Sequence, residues 1–314
     1  MKIIFLLLIF SILCTTCEAP KSGIRKLIAQ NDSLKAVIEL GRIKDSTTLN
    51  SLSYPKASIE GTEVRTLESK FTLNNYDIYI KFPKNYDKGK GYPVLYVLDA
   101  EVNFGGVSYI VQRLIKDELI PEILVIGIAY QGEADEDSYY ATRQLDFTPT
   151  IDKQFNRKAG GAPQFARFLE AELFPFVDGQ FKTNPNDRAL YGHSLGGLFG
   201  FYILFSKPGL FSKYILLSPS LWWDNKSIFK DMKTATPEAR HITLYVATGE
   251  REGEMVNDQL KMTEQLTRKN LKSLLIESEI LKNETHRSIF GAGFTNGLRS
   301  IYSEYNSHDK EPAN

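Results

Sequence analysis

Short apolar runs recur along the chain, and this feature constrains the fold more than any other. Each run lacks the alternation of apolar and polar residues that marks a strand with one face in water, so both faces are expected to be buried. Strands of this kind belong to a mainly parallel sheet. A half-exposed strand at residues 76–82 comes first, and the runs follow at residues 94–98, 123–130, 214–217, 242–247 and 274–280.

Longer segments with helical periodicity separate these runs. They lie at residues 105–119, 163–177, 195–205, 255–269 and 288–305. This alternation predicts an α/β fold in which helices cover both faces of a mainly parallel central sheet. The stretch 131–161 is rich in charged residues, Tyr and Gly and is too long for an ordinary connecting loop, so we expect it to overhang the functional site.

The first residues have the pattern of an export signal. Lys2 precedes an apolar run at residues 3–13, which has the length of the apolar part of a signal peptide and is too short to cross a bilayer. From this pattern and the composition that follows it, we divide the chain into a signal peptide (1–17), a spacer (18–56), one catalytic domain (57–306) and a polar tail (307–314).

The only two cysteines of the chain, Cys14 and Cys17, follow this apolar run directly. Cys17, or failing that Cys14, is the predicted lipid-bearing first residue of a bacterial lipoprotein, and secretion without a lipid is the alternative. In either case we expect an exported protein, either a periplasmic or outer-membrane lipoprotein or a secreted protein. Contact with a membrane is expected only through the N-terminal lipid anchor.

The composition argues against several classes of function. Lysine plus arginine and aspartate plus glutamate number 38 each, so the chain has no net basic charge with which to bind a nucleic acid. No cysteine occurs after position 17, which excludes disulfides, a thiol nucleophile and a thiolate zinc site from the catalytic domain. We expect no metal ion and no organic cofactor.

Residues 192–197, Gly-His-Ser-Leu-Gly-Gly, carry the strongest chemical signal. They follow a strand-like run at 188–191 and open the helical run at 195–205, which is the context of a nucleophile elbow. Such an elbow holds its serine, here Ser194, in a strained turn, and flanking glycines avoid clashes with the neighbouring backbone. The N–H of Leu195, at the start of the helix, is a predicted donor to a developing oxyanion.

A serine hydroxyl needs a base, and the chain has four histidines. His193, next to Ser194, is expected to point away from it into the core. His241 precedes a strand, and His308 lies in the polar tail. His286 remains, and the order serine, acid, histidine of α/β hydrolases puts the base at its place after the last strand. We expect the hydroxyl of Ser194 and the imidazole of His286 to meet within hydrogen-bonding distance.

The acid that orients this imidazole should follow the strand that precedes the histidine. Three glutamates come directly after that strand, Glu250, Glu252 and Glu254. Glu252 is our first choice for the acid, and the other two stay open as alternatives.

Other candidate site residues come from three places in the chain. The second oxyanion donor is placed at the N–H of Glu101, directly after an early strand. Trp222 and Trp223 follow a later strand at the sheet edge where ligands bind in α/β folds, so they are candidates for stacking on a substrate ring, with core packing as the alternative for at least one. Arg143, in the overhanging stretch, is a candidate for binding an anionic substrate, and a salt bridge with Asp146 or another loop acid is the alternative.

These motifs resemble the esterase-D-like branch of the α/β hydrolases, the putative-esterase family, which includes siderophore, feruloyl and acetyl-xylan esterases. The resemblance covers about residues 60–305 and is carried by residues 92–99, 143–149, 160–162, 192–197 and 218–224. It implies the α/β-hydrolase fold, with Ser194 as nucleophile and His286 as base. The acid varies within the family, and some siderophore esterases work with a serine–histidine dyad, which keeps the role of Glu252 open. The early strand of the family usually ends in Asp-Gly, where this chain has Asp99-Ala100.

The expected activity is hydrolysis of a carboxylic ester through an acyl-enzyme. Candidate substrates are ferric siderophores and feruloyl or acetyl esters of glycans, and the sequence does not decide between them. An acyltransferase of the same fold and a non-catalytic surface-binding lipoprotein are the alternatives. The intact pair of Ser194 and His286 argues against a binding protein, because binding does not need a strained elbow.

Overall fold

The structure is a computed structural model, and it describes residues 58–132, 136–155, 158–234 and 241–308. The predicted signal peptide, the spacer and the last part of the polar tail lie outside these residues. The proposed lipid site at Cys17 therefore also lies outside them.

Within the described residues, eight strands form one sheet. In chain order they are β1 (Thr62–Glu68), β2 (Asn75–Lys81), β3 (Tyr92–Val97), β4 (Leu124–Tyr130), β5 (Thr183–His193), β6 (Lys213–Leu217), β7 (Ile242–Gly249) and β8 (Leu274–Leu281). Their order in space is β1-β2-β4-β3-β5-β6-β7-β8. β2 runs antiparallel to β1 and to β4, and the remaining neighbours are parallel.

Helices alternate with the strands from β3 onward. They are α1 (Ala100–Lys116), α2 (Glu136–Phe147), α3 (Ala162–Phe168), α4 (Phe174–Gln180), α5 (Leu195–Ser206), α6 (Ile228–Thr234), α7 (Glu254–Arg268), α8 (Ile289–Ile301) and α9 (Ser303–His308). Three single turns complete the elements, one of π type (Leu169–Leu173), one helical (Trp223–Lys226) and one of 3-10 type (Glu250–Glu252). No helix in the described ranges is both long and apolar enough to cross a bilayer.

Helices cover both faces of the sheet because strand side chains alternate between two hydrophobic layers. Along β3, Tyr96 belongs to one layer and Val97 to the other. The first layer includes Phe199 of α5, and the second includes Phe294 of α8. The mainly parallel sheet with helices on both faces confirms the predicted α/β-hydrolase fold.

Among the elements that the sequence did not predict, β1 and α2 give no apolar pattern because their faces are exposed or polar. β1 is an edge strand, and most of its residues are exposed. α2 lies inside the stretch 131–161, and its buried positions include the polar residues Arg143, Gln144 and Asp146. The overhanging stretch is therefore partly helical.

The predicted helix at 163–177 is divided by the π-helical turn. Pro175 lies in the first turn of α4 and has no N–H, so the regular α-helical hydrogen bonds cannot run through it. The wider π turn accommodates this break between α3 and α4.

Two glycines of α8 give a matched test of how this helix packs on the sheet. A Cβ at Gly297 would lie 2.6 Å from Ile215 Cγ2 and 2.9 Å from Tyr245 Cδ1, whereas a Cβ at Gly291 would have no neighbour within 4 Å. We expect Gly297→Ala to lower the free energy of unfolding by about 1–3 kcal/mol through overpacking. Gly291→Ala should raise it by about 0.5–1 kcal/mol, because alanine favours a helix.

Urea denaturation followed by circular dichroism measures both changes. Equal effects of the two substitutions would contradict the close approach of α8 to β6 and β7.

Candidate active site

The candidate residues meet at one edge of the sheet because parallel strands end at the same edge. Asp99 follows β3, Ser194 follows β5 and Ser218 follows β6. Glu252 comes after β7, and His286 comes after β8. Residues that are far apart in the sequence are therefore collected on neighbouring strand ends.

Ser194 occupies a sharp turn between β5 and α5. Its backbone has φ 60° and ψ −117°, a conformation that residues with side chains rarely adopt. A Cβ at Gly192 would lie 2.3 Å from the carbonyl oxygen of Gly196, so the turn closes only with glycine there. The N–H of Ser194 donates to the carbonyl oxygen of Leu217 at 3.0 Å, which fixes the turn against the end of β6.

Glu252 and His286, the predicted acid and base, are in contact. His286 Nδ1 and Glu252 Oε2 are 2.6 Å apart, and the glutamate side chain is only 3% exposed. Glu252 Oε1 also accepts hydrogen bonds from Ser218 Oγ at 2.6 Å and from the N–H of Gly249 at 2.7 Å. Burial alone would raise the pKa of Glu252, but these hydrogen bonds, led by that of His286, hold the pKa below its ordinary value. The carboxylate is therefore ionised at neutral pH.

The other two candidate glutamates lie elsewhere in the same turn. Glu250 Oε2 accepts a hydrogen bond from the N–H of Asn283 at 2.9 Å, so it holds the loop that carries the histidine. Glu254 is exposed at the start of α7. Of the three glutamates considered, the structure places Glu252 on the imidazole.

The hydroxyl of Ser194 does not make the hydrogen bond to His286 that the sequence predicted. Its Oγ is 3.3 Å from Ser220 Oγ, and the described residues include no hydrogen bond between Ser194 and His286. The two parts of the site are linked through the end of β6, because Leu217 accepts the N–H of Ser194 and the following residue, Ser218, donates to Glu252. In unliganded sites such catalytic hydrogen bonds are often long and tighten in the substrate complex.

His193 does not pack in the core away from the site, so the prediction for this residue is wrong. Its Nε2 lies 2.7 Å from the carbonyl oxygen of His286, and the two ring centroids are 4.6 Å apart. Burial and the neighbouring His286 lower the pKa of His193 to about 4. The ring is therefore neutral at pH 7, and its single N–H, which must face the carbonyl, is on Nε2.

Arg143 is engaged in an ion pair, which was the alternative to anion binding. Its Nε and Nη2 donate to the two carboxylate oxygens of Asp99 at 2.6 and 2.9 Å, and both side chains are buried. Nη2 also donates to the carbonyl oxygen of His193 at 3.0 Å. The acid is thus Asp99 and not Asp146, which accepts a hydrogen bond from Tyr76. Through these bonds Arg143 links α2, the start of α1 and the elbow, which is the structural role that the sequence left open as the alternative.

The two tryptophans have different environments. Trp223 is 1% exposed, and its Nε1 donates to the carbonyl oxygen of Thr150 at 3.1 Å, so core packing is correct for this residue and stacking on a substrate is not. Trp222 is 37% exposed. Its ring centroid is 5.8 Å from that of Phe155, which comes from the overhanging stretch and is 41% exposed. These two rings form an accessible aromatic surface two residues beyond Ser220.

The two predicted oxyanion donors lie in the first turns of two helices. Leu195 begins α5 and Glu101 is the second residue of α1, where backbone N–H groups have no acceptor within the helix. A Cβ at Gly196 would lie 3.6 Å from Asp99 Oδ2, so the two helix starts are neighbours. The carboxylate of Glu101 accepts a hydrogen bond from the N–H of Tyr130. Partial removal of this carboxyl group from water raises the pKa of Glu101 to about 7.

Four residues of the site were missed by the sequence prediction: Asp99, Phe155, Ser218 and Ser220. Ser218 and Ser220 directly follow β6, and this position after a buried strand is the signal that identifies them. Asp99 has a similar position after β3, and its backbone is left-handed, with φ 53°. Phe155 carries no such signal, because its contact with Trp222 depends on the tertiary path of the overhanging stretch. In the described ranges no three His, Cys, Asp or Glu side chains are grouped as a metal site requires.

Comparison with known proteins gives a family and named relatives. The family described as Putative esterase matches residues 69–292. The ferri-bacillibactin esterase BesA of Bacillus subtilis is 32% identical over 229 residues, which cover 67% of this chain and 78% of BesA. The siderophore enterobactin esterase of Emericella nidulans is 28% identical over 221 residues, covering 62% of this chain and 71% of that enzyme. The crystal structure of the BES protein from Bacillus cereus has a TM-score of 0.74 and 30% identity, covering 80% of this chain and 98% of that protein.

His193 predicts how acid changes the stability of the fold. The unfolded chain binds a proton at this ring near pH 6.5 and the folded chain only near pH 4, so acid favours unfolding between these values. The contribution of the neutral ring is complete above pH 6.5 and is lost as the pH falls to 4. His193→Gln removes this titration, so wild type should lose up to about 3 kcal/mol relative to the variant between pH 7 and 4.

Urea denaturation of both proteins at a series of pH values measures this difference. Parallel curves of unfolding free energy against pH for wild type and His193→Gln would contradict the burial of a neutral His193.

Proposed function

This chain belongs to the putative-esterase family and is a carboxylic ester hydrolase, and on this premise we propose that it cleaves its ester through an acyl-enzyme on Ser194. The observation that carries the proposal is the 2.6 Å contact between His286 Nδ1 and Glu252 Oε2, beside the strained serine of an elbow. With Nδ1 engaged by the carboxylate, Nε2 is the nitrogen that remains to take a proton from the serine.

The first half of the reaction forms the acyl-enzyme. His286 Nε2 takes the proton of Ser194 as Oγ bonds to the ester carbonyl carbon, and the carbonyl π electrons move to oxygen. Glu252, which is ionised, accepts the Nδ1–H and stabilises the imidazolium. When the tetrahedral intermediate collapses, the bond to the alcohol oxygen breaks and His286 gives its proton to that oxygen.

Water completes the cycle by the same route in reverse. His286 takes a proton from water, the hydroxide oxygen bonds to the acyl carbon, and the bond to Ser194 Oγ then breaks as His286 returns the proton to it. In both halves we assign the oxyanion to the N–H groups of Leu195 and Glu101. Loss of one such donor typically costs about 10²–10³ in rate.

For the substrate, we propose a ferric catecholate siderophore ester. The two curated relatives are named as esterases of ferri-bacillibactin and of the siderophore enterobactin. The exposed rings of Trp222 and Phe155 support this choice, because planar aromatic groups stack on such surfaces. Export through the predicted signal peptide and a lipid on Cys17 remain predictions.

Substitution of the acid tests the proposed triad. Ser194→Ala should abolish turnover of p-nitrophenyl acetate, with a fall of at least about 10⁴-fold. Glu252→Gln should lower kcat by about 10²- to 10⁴-fold, because the neutral amide neither stabilises the imidazolium nor fixes its tautomer. Glu254→Gln, the same change two residues away on an exposed side chain, should leave kcat unchanged within about twofold.

A fluorophosphonate probe followed by peptide mass spectrometry identifies the nucleophile directly. Labelling of a residue other than Ser194 would disprove the proposed acyl-enzyme. Equal kcat values for Glu252→Gln and wild type would show instead a serine–histidine dyad.

Trp222 gives a test of the substrate. Trp222→Ala should lower kcat/KM for a ferric catecholate ester by about tenfold, because one aromatic stack contributes up to about 1.5 kcal/mol. Hydrolysis of ethyl acetate, which has no ring, should change by less than about twofold. Trp222→Phe should keep most of the activity, and Tyr109→Ala, which removes an exposed ring from the middle of α1, serves as the control.

The same assays compare substrate classes. A higher kcat/KM of wild type for methyl ferulate or acetylated xylan than for the ferric catecholate ester would overturn the proposed substrate. An equal loss of both activities in Trp222→Ala would contradict its role in stacking.

A further inference from the structure

His193 has a contact that the proposed mechanism does not use. Its imidazole lies against the ring of His286 and hydrogen-bonds to the main-chain oxygen of that residue, although 93 positions separate the two in the sequence. A side chain next to the nucleophile is thus attached to the backbone of the base.

The loop that carries His286 is also attached on the side of the acid. The N–H of Asn283 donates to Glu250 Oε2 at 2.9 Å, and the N–H of Arg251 donates to the carbonyl oxygen of Glu284 at 3.0 Å. These bonds fix the loop relative to Glu252. They do not fix it relative to the elbow, which belongs to a different strand end.

The elbow side of this contact is rigid. The carbonyl oxygen of His193 accepts a hydrogen bond from Arg143, which is held in its buried ion pair with Asp99. The N–H of Ser194, the next residue, is bonded to Leu217 at the end of β6. The peptide group that follows the His193 side chain is therefore anchored at its oxygen and at its nitrogen, so this side chain is suited to hold a second loop in place.

We propose that His193 is a positioning residue, whose Nε2–H fixes the backbone of His286 and thereby sets the distance between Ser194 Oγ and the imidazole. This inference rests on the proposed function of Ser194 and His286. A misplacement of about 1 Å between reacting groups costs on the order of 10²-fold in rate, so one hydrogen bond at this point has a large effect on catalysis.

The neutral state of the His193 ring suits this role. A charged ring 4.6 Å from His286 would oppose the imidazolium that forms during attack on the ester. The low pKa of His193, about 4, prevents this at neutral pH. His193 is also unsuited to be the base itself, because the N–H on Nε2 is held by a carbonyl oxygen and its affinity for a proton is low.

Three substitutions separate the hydrogen bond from the shape of the ring. His193→Phe keeps a ring and removes the donor. His193→Gln places an amide N–H close to the position of Nε2, and His193→Asn carries the same amide on a side chain that is too short to reach the carbonyl. We expect kcat for p-nitrophenyl acetate to fall by about 10- to 100-fold in the Phe and Asn variants, with KM unchanged within about twofold, and to recover to within about threefold of wild type in the Gln variant.

A double-mutant cycle with His286→Ala tests whether His193 acts through the base. With the imidazole absent, His193→Asn should cause no further loss of the residual rate, whereas a merely structural role would lower both backgrounds equally. The rate of fluorophosphonate labelling of Ser194 should follow the same pattern, since it requires the same nucleophile and base.

The inference is overturned if His193→Asn keeps kcat within about threefold of wild type, if Gln and Asn are equally impaired, or if the losses add in the cycle. If His193→Phe does not fold, the difference in kcat between His193→Gln and His193→Asn is sufficient for the test. A failure of the proposed function gives a different result, because wild type itself would then show no turnover or labelling that depends on Ser194.

Discussion

The sharp turn at Ser194 is the constraint on which the rest of the site depends. A backbone with positive φ at a residue with a side chain costs on the order of 1–3 kcal/mol, and it persists only where surrounding structure holds it. Here the surroundings are the missing Cβ of Gly192, the bond from Ser194 to Leu217, and α5, which is buried along nearly its whole length beneath the sheet. Because α5 starts immediately at the turn, its free N–H groups lie close to the serine hydroxyl. The fold therefore builds the proposed nucleophile and its proposed oxyanion donor as one unit, and the remaining groups only have to be brought to it.

Strand ends supply those groups, and this explains which parts of the molecule could be predicted from the sequence. Most residues of the core strands β3, β4, β6 and β7 are buried, so their apolar runs predict them. Together with the shorter or less pure runs of β5 and β8, they predict the strand ends that carry Ser194, Glu252 and His286. α2 could not be predicted, because its buried face is polar and is stabilised by the ion pair of Arg143 with Asp99, a partner 44 positions away. Local sequence carries no signal for an interaction of this kind, and the same limit applies to the contact of Phe155 with Trp222.

The error at His193 has a specific physical cause. In a regular strand, neighbouring side chains point to opposite faces, and this rule places His193 away from Ser194. The rule fails here because Ser194 is not in the strand. Its unusual φ and ψ values turn the chain, so the side chains of residues 193 and 194 both reach the strand-end edge, one toward the loop of His286 and the other toward Ser220. The strained turn at the proposed nucleophile thus also makes its neighbour available to contact the backbone of the proposed base.

The aromatic surface is built differently from the catalytic groups. Trp222 precedes three consecutive residues with left-handed backbone, Asp224, Asn225 and Lys226, with φ between 46° and 62°. This turn is held by side chains from other segments, since Asp152 accepts the N–H of Asp224 and Asp258 pairs with Lys226. Catalytic residues attached to strand ends have positions set by the sheet, whereas the position of Trp222 is set by these few polar contacts between loops. Changes at Asp152 or Phe155 can therefore move the aromatic surface, whereas Arg143, in the same overhanging stretch, supports the elbow itself.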